Sequence, residues 1–325
     1  MRWNAPYAAF ARAAGFTPAH PPQSWREIPA VPSLAFKEST LATFDPYDAA
    51  VVFHTSGTTA AASGRHYFEP ESLRLYDAAL LAGFDRFVLD EAPEPLRYFL
   101  LVPNRATSSL GYMMSRVAVS RGDGRHATYV DAAGEMLDID ALVSDLARAY
   151  DDGIAVCVAG TAFAFAALLE RLRGRAPRTQ PGSRIMETGG FKGRTRALER
   201  EELYAALSAA FAIPVERIVA EYGMTELTSQ YYDAPWSRHR GERVKIGPPW
   251  LRPLIVDAGG KPVRDGEVGV LRHVDLANRG SVLAVETEDL ALCVRDGAFV
   301  LLGRDPDARL RGCSLDVEDL LARRG

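Results

Sequence analysis

The segment Arg217-Ile218-Val219-Ala220-Glu221-Tyr222-Gly223-Met224-Thr225-Glu226 joins an apolar stretch to a polar turn. Its first four residues predict a buried strand, because short runs with branched apolar side chains are typical of strands. Beyond the strand, a tyrosine next to a glycine can lay its ring against a purine, a threonine hydroxyl can bond a phosphate oxygen, and a carboxylate can hold Mg²⁺. The segment predicts a nucleotide site at a strand end, although in isolation an ordinary strand-to-helix turn with an acidic first turn explains it better.

Upstream of this segment, apolar runs that predict buried strands alternate with stretches that predict helices. The strands are Val51–Phe53, Tyr98–Val102 and Ile154–Val158, and the helices include Leu73–Ala82 and Ala162–Leu172. Regular alternation of the two is typical of a sheet that is covered on both faces by helices. The sequence therefore predicts an α/β fold.

The two ends of the chain lack the strand–helix alternation of the middle part. Five prolines between residues 18 and 32 predict that the first 48 residues form a collar around the core instead of a domain. Short strands and turn signals follow Pro248. The turn signals are Asp257–Lys261, Asp265-Gly266 and Asp296-Gly297. We predict a core over residues 1–302, made of the collar (1–48), an α/β part (49–247) and a β-rich subdomain (248–302), and then a hinge-like loop and terminal helix over 303–325.

A second polar motif, Thr55-Ser56-Gly57-Thr58-Thr59, lies directly after the predicted strand Val51–Phe53. Hydroxyls and unhindered backbone amides in a tight turn are what a phosphate group needs. A Walker loop is ruled out, because Ala62 and Ser63 stand where it needs glycine and lysine. A Ser/Thr-rich turn without a ligand explains the motif about equally well.

Composition excludes several classes of function. The 325 residues carry a net charge of −4 and a pI near 5.9, which argues against a nucleic-acid partner. The sequence has no apolar run that could cross a bilayer and no signal peptide, so we expect a cytoplasmic protein without membrane insertion. Six histidines form no HxxxH or HxH pair, and three cysteines are too few for a disulfide framework, as expected in a reducing compartment. The cysteines are Cys157, Cys293 and Cys313.

The last cysteine stands in a glycine-containing loop near the end of the chain. Cys313 follows Arg309-Leu310-Arg311-Gly312 and precedes Ser314, a predicted N-cap for a helix over Leu315–Arg323. The helix dipole and the two arginines favour its thiolate, whereas acidic residues in the first helical turns raise its pKa. Cys313 is a candidate covalent carrier, with a small buried cysteine as the alternative, while Cys157 and Cys293 lie in apolar runs that favour a structural role.

The motifs occur together in a recognisable order. The chain resembles the adenylate-forming superfamily of acyl-CoA synthetases, luciferases and peptide synthetase adenylation domains, in the order Thr55–Thr59, Gly189-Gly190, Tyr222–Glu226, Glu288-Asp289-Leu290 and Gly303-Arg304. Within it, the chain most resembles the acyl-protein synthetases of bacterial bioluminescence fatty acid reductase complexes. The stretches that carry this likeness are Phe36-Lys37, Ser63–His66, Ser108–Met113, Thr188–Gly193, Glu221–Gln230 and Arg311–Leu315.

The resemblance implies the large N-terminal lobe of an adenylate-forming enzyme, with mixed sheets, helices on both faces and a β-rich subdomain, and with the C-terminal lid domain largely missing. It also implies a two-step reaction that uses ATP and Mg²⁺. A carboxylic acid attacks the α-phosphate of ATP to give an acyl adenylate and pyrophosphate, and a thiol then captures the acyl group.

By the same resemblance, roles fall on particular residues. Cys313, Thr225 and Glu226 are the implied catalytic residues. The implied nucleotide contacts are Thr55, Ser56, Gly57, Thr58 and Thr59 for the phosphates, Gly189 and Gly190 for the adenine and acyl pocket, Tyr222 with Gly223 and Met224 for adenine, Thr225 for the α-phosphate, Glu226 for Mg²⁺, Asp289 for the ribose hydroxyls and Arg304 for the nucleotide.

The sequence departs from the superfamily pattern in two places. The phosphate loop has Ala60 where glycine is usual and lacks the following Pro-Lys, which leaves Arg65 or His66 as possible substitutes. The lid domain that carries a catalytic lysine in typical members is absent from the sequence, and Lys192 is a possible stand-in.

The acyl acceptor and the acid are left open. The acyl group could pass from Cys313 to a reductase, an acyltransferase or a carrier protein, or it could go directly to coenzyme A or a carrier protein. A non-catalytic nucleotide-binding subunit is an alternative of another class. Five apolar residues could line a channel for a fatty or aromatic acid or could belong to the core: Tyr112, Met113, Met114, Phe163 and Phe165.

Overall fold

The computed structural model describes residues 4–55, 63–131, 138–175, 177–189, 200–238, 242–295 and 297–305. Within these ranges the α-helices are α1 (Ala5–Ala13), α2 (Ala35–Glu38), α3 (Pro70–Phe87), α4 (Ser109–Arg121), α5 (Ile139–Asp151), α6 (Ala162–Leu172) and α7 (Arg200–Phe211). No helix in the described part of the chain has the length and apolar character needed to span a membrane.

The strands are short, apart from two long ones near the end of the described chain. They are β1 (Val31–Pro32), β2 (Val51–His54), β3 (Arg65–Phe68), β4 (Leu96–Leu101), β5 (Gly122–Thr128), β6 (Val156–Thr161), β7 (Arg184–Thr188), β8 (Ile218–Tyr222), β9 (Tyr231–Asp233), β10 (Val244–Ile246), β11 (Leu251–Val256), β12 (Val268–Asp275), β13 (Ala284–Arg295) and β14 (Ala298–Arg304).

The chain divides into two compact units. The first unit contains residues 1–79, 224–230 and 244–325, and the second unit contains residues 80–223 and 231–243. Each unit is therefore built from stretches that are far apart in the sequence.

The second unit has a parallel sheet with the strand order β5-β4-β6-β7-β8, and β9 is antiparallel to β8. Side-chain caps start the helices that connect these strands: Ser108 caps α4, Asp138 caps α5 and Thr161 caps α6. This strand–helix alternation confirms the predicted α/β fold, and α6 has the predicted bounds.

Helices cover both faces of this sheet. Helices α5, α6 and α7 bury apolar side chains against one face, where Phe99, Val158 and Ile185 lie in the same cluster. On the other face Phe84 of α3 packs with its ring 6.3 Å from that of Tyr98. Because Tyr98 and Phe99 are neighbours on one strand, they point to opposite faces.

The first unit is mainly antiparallel. Its strands follow the order β11-β12-β13-β14-β10, β1 pairs with β13 in parallel, and β2 and β3 form a separate hairpin. The predicted turn at Gly297 lies between β13 and β14, whereas the other two turn signals both fall in the β11–β12 connection. Val31 and Phe36 of the collar are buried, so this stretch contributes to the core of the unit.

Candidate functional site

Polar residues occupy the carboxyl ends of β6, β7 and β8 in the second unit. Thr161, Thr188 and Glu221 are level with one another in the sheet. The Thr188 hydroxyl donates a hydrogen bond to the Glu221 carboxylate, and Gly189 follows with a φ of +75°. A side chain at Gly189 would meet no described atom within 4 Å. Ligands of open α/β sheets bind outside the carboxyl ends of the strands, so Gly189 lies at the edge where a pocket is expected.

Just below these strand ends lies a buried polar cluster that we call the Asp233 network, made of Asp233, Arg243, Tyr204 and Glu187. The Asp233 carboxylate accepts hydrogen bonds from Arg243 and from the backbone N–H of Ala220, both at 2.9 Å. The Arg243 guanidinium lies 4.4 Å from the centre of the Tyr204 ring, and the Tyr204 hydroxyl donates to Glu187 at 2.8 Å. Burial, followed by the Glu187 charge, raises the pKa of Tyr204 well above its usual value, so the hydroxyl stays a donor.

Tyr222 is half-buried at the end of β8. It pairs with Tyr231 of β9, and the two ring centres are 6.1 Å apart at an interplanar angle of 38°. The boundary between the two units falls one residue later, after Gly223. The stacking of Tyr222 on adenine stays a prediction.

Met224 begins the part of the motif that belongs to the first unit. It is half-buried and packs against an apolar cluster that includes Phe36, Leu227, Val282 and Val285. Since flexible thioether side chains fill irregular gaps well, Met224 anchors the motif to this unit. Its predicted contact with adenine stays a prediction.

The segment that follows is held by a second cluster, the Asp275 network, made of His66, Asn278, Thr228, Ser229 and Asp275. His66 Nδ1 lies 2.7 Å from the Thr225 carbonyl oxygen, and Asn278 Nδ2 donates to the Glu226 carbonyl oxygen at 2.9 Å. Burial lowers the pKa of His66 to about 4. His66 therefore lies against the backbone of the motif, instead of being exposed as a substitute contact for pyrophosphate.

The carboxylate of Asp275 completes this network. It accepts hydrogen bonds from the backbone N–H groups of Thr228 at 3.0 Å and Ser229 at 2.8 Å, and from the Ser229 hydroxyl at 2.9 Å. The Thr228 hydroxyl donates to Asn278 Oδ1 at 2.8 Å. Burial raises the pKa of Asp275 to about 6, although its hydrogen bonds counteract that shift. The sequence did not predict that these residues anchor the motif, because their contacts join distant parts of the chain.

Thr55 is the only residue of the Thr55–Thr59 motif within the described ranges. Its backbone N–H donates to the Gly64 carbonyl at 2.9 Å, and its hydroxyl accepts from the Gly64 N–H at 2.7 Å. A side chain at Gly64 would come within 3.1 Å of Thr55, so glycine permits this close pairing. Thr55 thus closes the β2–β3 hairpin, and the predicted phosphate contacts of Ser56, Gly57, Thr58 and Thr59 lie outside the described residues.

Asp289 and Arg304 face each other on the β13–β14 hairpin. Arg304 Nε lies 4.0 Å from Asp289 Oδ1, and Arg304 Nη1 lies 3.7 Å from Glu288 Oε2. Gly303 has a φ of +111° and stands beside a bulge in the pairing. Two residues predicted to contact the nucleotide are therefore brought together, with Arg304 68% exposed and Asp289 23% exposed.

The described residues contain no group of three or more His, Cys, Asp or Glu side chains that could hold a metal ion. Glu226, the predicted Mg²⁺ ligand, is buried and supplies one carboxylate. A single carboxylate suits Mg²⁺ where substrate phosphates and water provide the other ligands. The predicted residues Gly190 and Cys313, and the possible stand-in Lys192, lie outside the described residues.

The two described cysteines differ in environment. Cys157 is buried in β6, and burial raises the pKa of its thiol to about 12. Cys293 is half-buried in β13, with its Sγ 3.6 Å from an Asp265 oxygen.

The apolar residues considered for an acid channel differ in burial. Met113, Met114 and Phe165 are buried in the core, whereas Phe163 is 48% exposed.

Sequence comparisons with known proteins gave one curated relative. No protein-family model matches the chain. A curated protein, the long-chain-fatty-acid–luciferin-component ligase of Aliivibrio fischeri, is 23% identical over 316 residues, which cover 91% of this chain and 79% of that protein. This likeness agrees with the predicted resemblance to bioluminescence acyl-protein synthetases.

Solved structures of ligases share the fold. The 2-hydroxyisobutyryl-CoA ligase structure with bound 2-HIB-AMP matches with a TM-score of 0.70 and 14% identity, over 94% of this chain and 65% of that one. The amide bond synthetase McbA from Marinactinospora thermotolerans matches with a TM-score of 0.56 and 18% identity, over 80% of this chain and 49% of that one. ATP-bound MatB from Rhodopseudomonas palustris matches with a TM-score of 0.55 and 17% identity, over 79% of this chain and 48% of that one.

The chain therefore spans about half to two thirds of the length of these solved ligases. Their similarity confirms the predicted fold, that of the large N-terminal domain of adenylate-forming enzymes, and it confirms the predicted resemblance to that superfamily.

Proposed function

We propose that this chain is an AMP-forming acid ligase, which activates a carboxylic acid with ATP. The observation that carries the proposal is the Tyr222–Glu226 motif, which begins at the last residue of β8 in the parallel sheet, in a chain with the fold of adenylate-forming ligases. In the first step, a carboxylate oxygen of the acid attacks the α-phosphorus of ATP. The bond from that phosphorus to the bridging oxygen breaks, and pyrophosphate leaves with the electron pair.

The residues of the chain act on this step mainly by electrostatics. The Thr225 hydroxyl donates to an α-phosphate oxygen, the Tyr222 ring lies against adenine, and Asp289 accepts hydrogen bonds from the ribose hydroxyls. Glu226 would hold Mg²⁺, and the bound ion would supply positive charge near the phosphate oxygens. Donors that are fixed before the reaction lower the barrier because they need no reorganisation as charge develops. The anchored backbone of the 225–229 segment supports this role.

In the second step a thiolate attacks the acyl carbon, the bond from that carbon to the AMP oxygen breaks, and AMP leaves. We propose Cys313 as this thiol, after which a partner reductase, acyltransferase or carrier protein takes the acyl group. The likeness to the Aliivibrio fischeri ligase over 91% of the chain and the arginine-flanked Gly312-Cys313-Ser314 sequence support this choice. Coenzyme A or a carrier phosphopantetheine is the competing acceptor, since it offers the same thiol chemistry.

The test is the intact mass of the full chain after incubation with ATP, Mg²⁺ and a panel of fatty and aromatic acids, read before and after neutral hydroxylamine. We expect a hydroxylamine-labile acyl adduct on the wild type and on the Cys293→Ala control, but none on Cys313→Ala. An adduct that persists on Cys313→Ala would remove Cys313 from its role. Release of pyrophosphate without any adduct would favour coenzyme A or a carrier protein, whereas ATP binding without acid-dependent pyrophosphate exchange would favour a non-catalytic nucleotide-binding subunit.

A further inference from the structure

Two consecutive backbone carbonyls in the motif are each held by a buried side chain. His66 lies 2.7 Å from the Thr225 carbonyl oxygen, and Asn278 lies 2.9 Å from the Glu226 carbonyl oxygen. These carbonyls belong to the two peptide planes on either side of the Glu226 Cα. Fixing both planes restricts the backbone at Thr225 and Glu226, and with it the directions in which their side chains leave the chain.

The His66 ring is itself held in place. It is 1% exposed, its ring centre lies 4.2 Å from that of Phe68, and Phe36 meets it edge-on at 5.6 Å. A carbonyl oxygen can only accept, so Nδ1 carries the proton that it donates to Thr225. Burial keeps the imidazole neutral at physiological pH, because its pKa is about 4. The ring therefore acts as a rigid, uncharged donor.

His66 also stands on the hairpin that bears the first motif. It lies on β3 opposite Phe53 of β2, two residues after Gly64, whose pairing with Thr55 closes the hairpin. The hydrogen bond from His66 to Thr225 joins positions 159 residues apart in the chain. One side chain thus couples the backbone beside the Thr55–Thr59 motif to the backbone of the Thr225-Glu226 pair.

We propose that His66 is a positioning residue, whose Nδ1–H fixes the Thr225-Glu226 backbone relative to the hairpin of the Thr55–Thr59 motif and so aims the Thr225 hydroxyl at the α-phosphate. The catalytic part of this inference rests on the proposed function. The positional part rests on the contacts alone. Because misplacing a reacting group by about 1 Å can cost about a hundredfold in rate, loss of this donor lowers turnover more than it lowers binding of the acid.

Three substitutions in the full chain separate the donor from the packing. Replacement by Asn offers an N–H donor close to the position of Nδ1. Replacement by Leu gives a side chain with nearly the shape of Asn but without a donor. Replacement by Gln places the donor one methylene further from the backbone. The variants H66N, H66L and H66Q are compared with the wild type in acid-dependent ATP–pyrophosphate exchange. Hydrogen–deuterium exchange of peptides that cover 222–230 is measured in parallel, with near-UV circular dichroism to confirm folding.

We expect H66N to keep kcat within about threefold of the wild type, and H66L and H66Q to lose about 30-fold or more with little change in the KM for the acid. Deuterium uptake over 222–230 rises in H66L and H66Q and stays near the wild-type level in H66N. Equal kcat in folded H66L and wild type would overturn the inference, and so would an H66N variant as impaired as H66L.

Failure of the proposed function gives a different result. In that case the wild type exchanges no pyrophosphate with any acid, and deuterium uptake alone decides the positional role of His66. Faster uptake in H66L than in H66N supports it, and equal uptake overturns it. If H66L does not fold, H66N and H66Q are compared with each other, because both carry an amide donor and the longer Gln side chain places it one methylene further out.

Discussion

Two buried polar networks hold the two halves of one short motif, and they differ in charge. The Asp233 network supports the end of β8 with an ion pair, in which Arg243 is 3% and Asp233 0% exposed. The Asp275 network supports residues 225–229 with a neutral histidine, an asparagine and one carboxylate. A buried ion pair is costly to break from one side, whereas the Asp275 network depends on the protonation state of His66. Substitution of the cation should therefore damage the Asp233 network most, whereas acid should act on the Asp275 network through His66.

Breaking the ion pair gives the largest expected effect. Arg243→Met leaves the Asp233 charge buried without its cation and should lower the free energy of unfolding by about 3–5 kcal/mol. Urea unfolding at pH 7.5 measures the change, and Arg243→Lys, which keeps the charge, should lose less. The matched control is Arg264→Met, because Arg264 is 90% exposed and lies 3.6 Å from Glu267; its loss should stay below about 0.5 kcal/mol. Similar losses at both positions would contradict the comparison.

Acid should act on the Asp275 network through His66. His66 has a pKa of about 4 in the folded protein against 6.5 for the free side chain, so its contribution to stability is present above pH 6.5 and is lost as the pH falls towards 4. At pH 4.5 this loss is about 2–3 kcal/mol. Urea unfolding at pH 7.5 and 4.5 should show a smaller acid-induced loss in His66→Asn than in the wild type.

Other titrating groups are common to both proteins in that experiment. His273 has a pKa of about 3 because it is buried, and it destabilises the acid form in the same direction as His66. Asp275, with a pKa of about 6, acts in the opposite direction, since its contribution is present below pH 3.8 and is lost as the pH rises through 6. Identical pH profiles for His66→Asn and the wild type would show that the imidazole does not titrate with folding.

A smaller effect is expected from a single hydrogen bond in the Asp233 network. Tyr204→Phe removes the donor to Glu187 and should lower the free energy of unfolding by about 1–2 kcal/mol. Tyr47→Phe is the control, because Tyr47 is 98% exposed, and it should leave stability unchanged. A neutral result at Tyr204 would show that Glu187 is satisfied without the phenol.

The β13–β14 hairpin belongs to neither network, and there the effect should fall on chemistry and not on stability. Asp289→Asn should change the free energy of unfolding by less than about 0.5 kcal/mol and raise the KM for ATP about tenfold, through the loss of a charge-assisted hydrogen bond. Glu288→Gln is the matched control, since Glu288 also lies near Arg304 but has no predicted nucleotide contact. Pyrophosphate exchange kinetics measure both variants, and equal KM values would remove Asp289 from the site.

Local sequence patterns predicted helices and strands, but they did not predict the long-range contacts that hold the motif in place. The bounds of α6 agree with the observed helix, and the predicted strand Val51–Phe53 is extended by one residue, since apolar periodicity and caps act within a few residues. The contacts of His66 with Thr225 and of Asn278 with Glu226 cross 159 and 52 residues. Such contacts leave no periodic signal in a single sequence. For the same reason Met114 and Phe165 could not be assigned to channel or core before their burial was known.

The contrast between Cys157 and Cys293 has a practical consequence for chemical labelling. A thiol whose pKa is raised to about 12 by burial is almost entirely protonated at neutral pH, so maleimides and iodoacetamide should leave Cys157 unmodified in the folded protein. Replacing the half-buried Cys293 with serine then removes the other described thiol. In that background Cys313 is the only other cysteine in the sequence, so any label that the folded protein takes up is attached there, and its uptake can be measured without a catalytic assay.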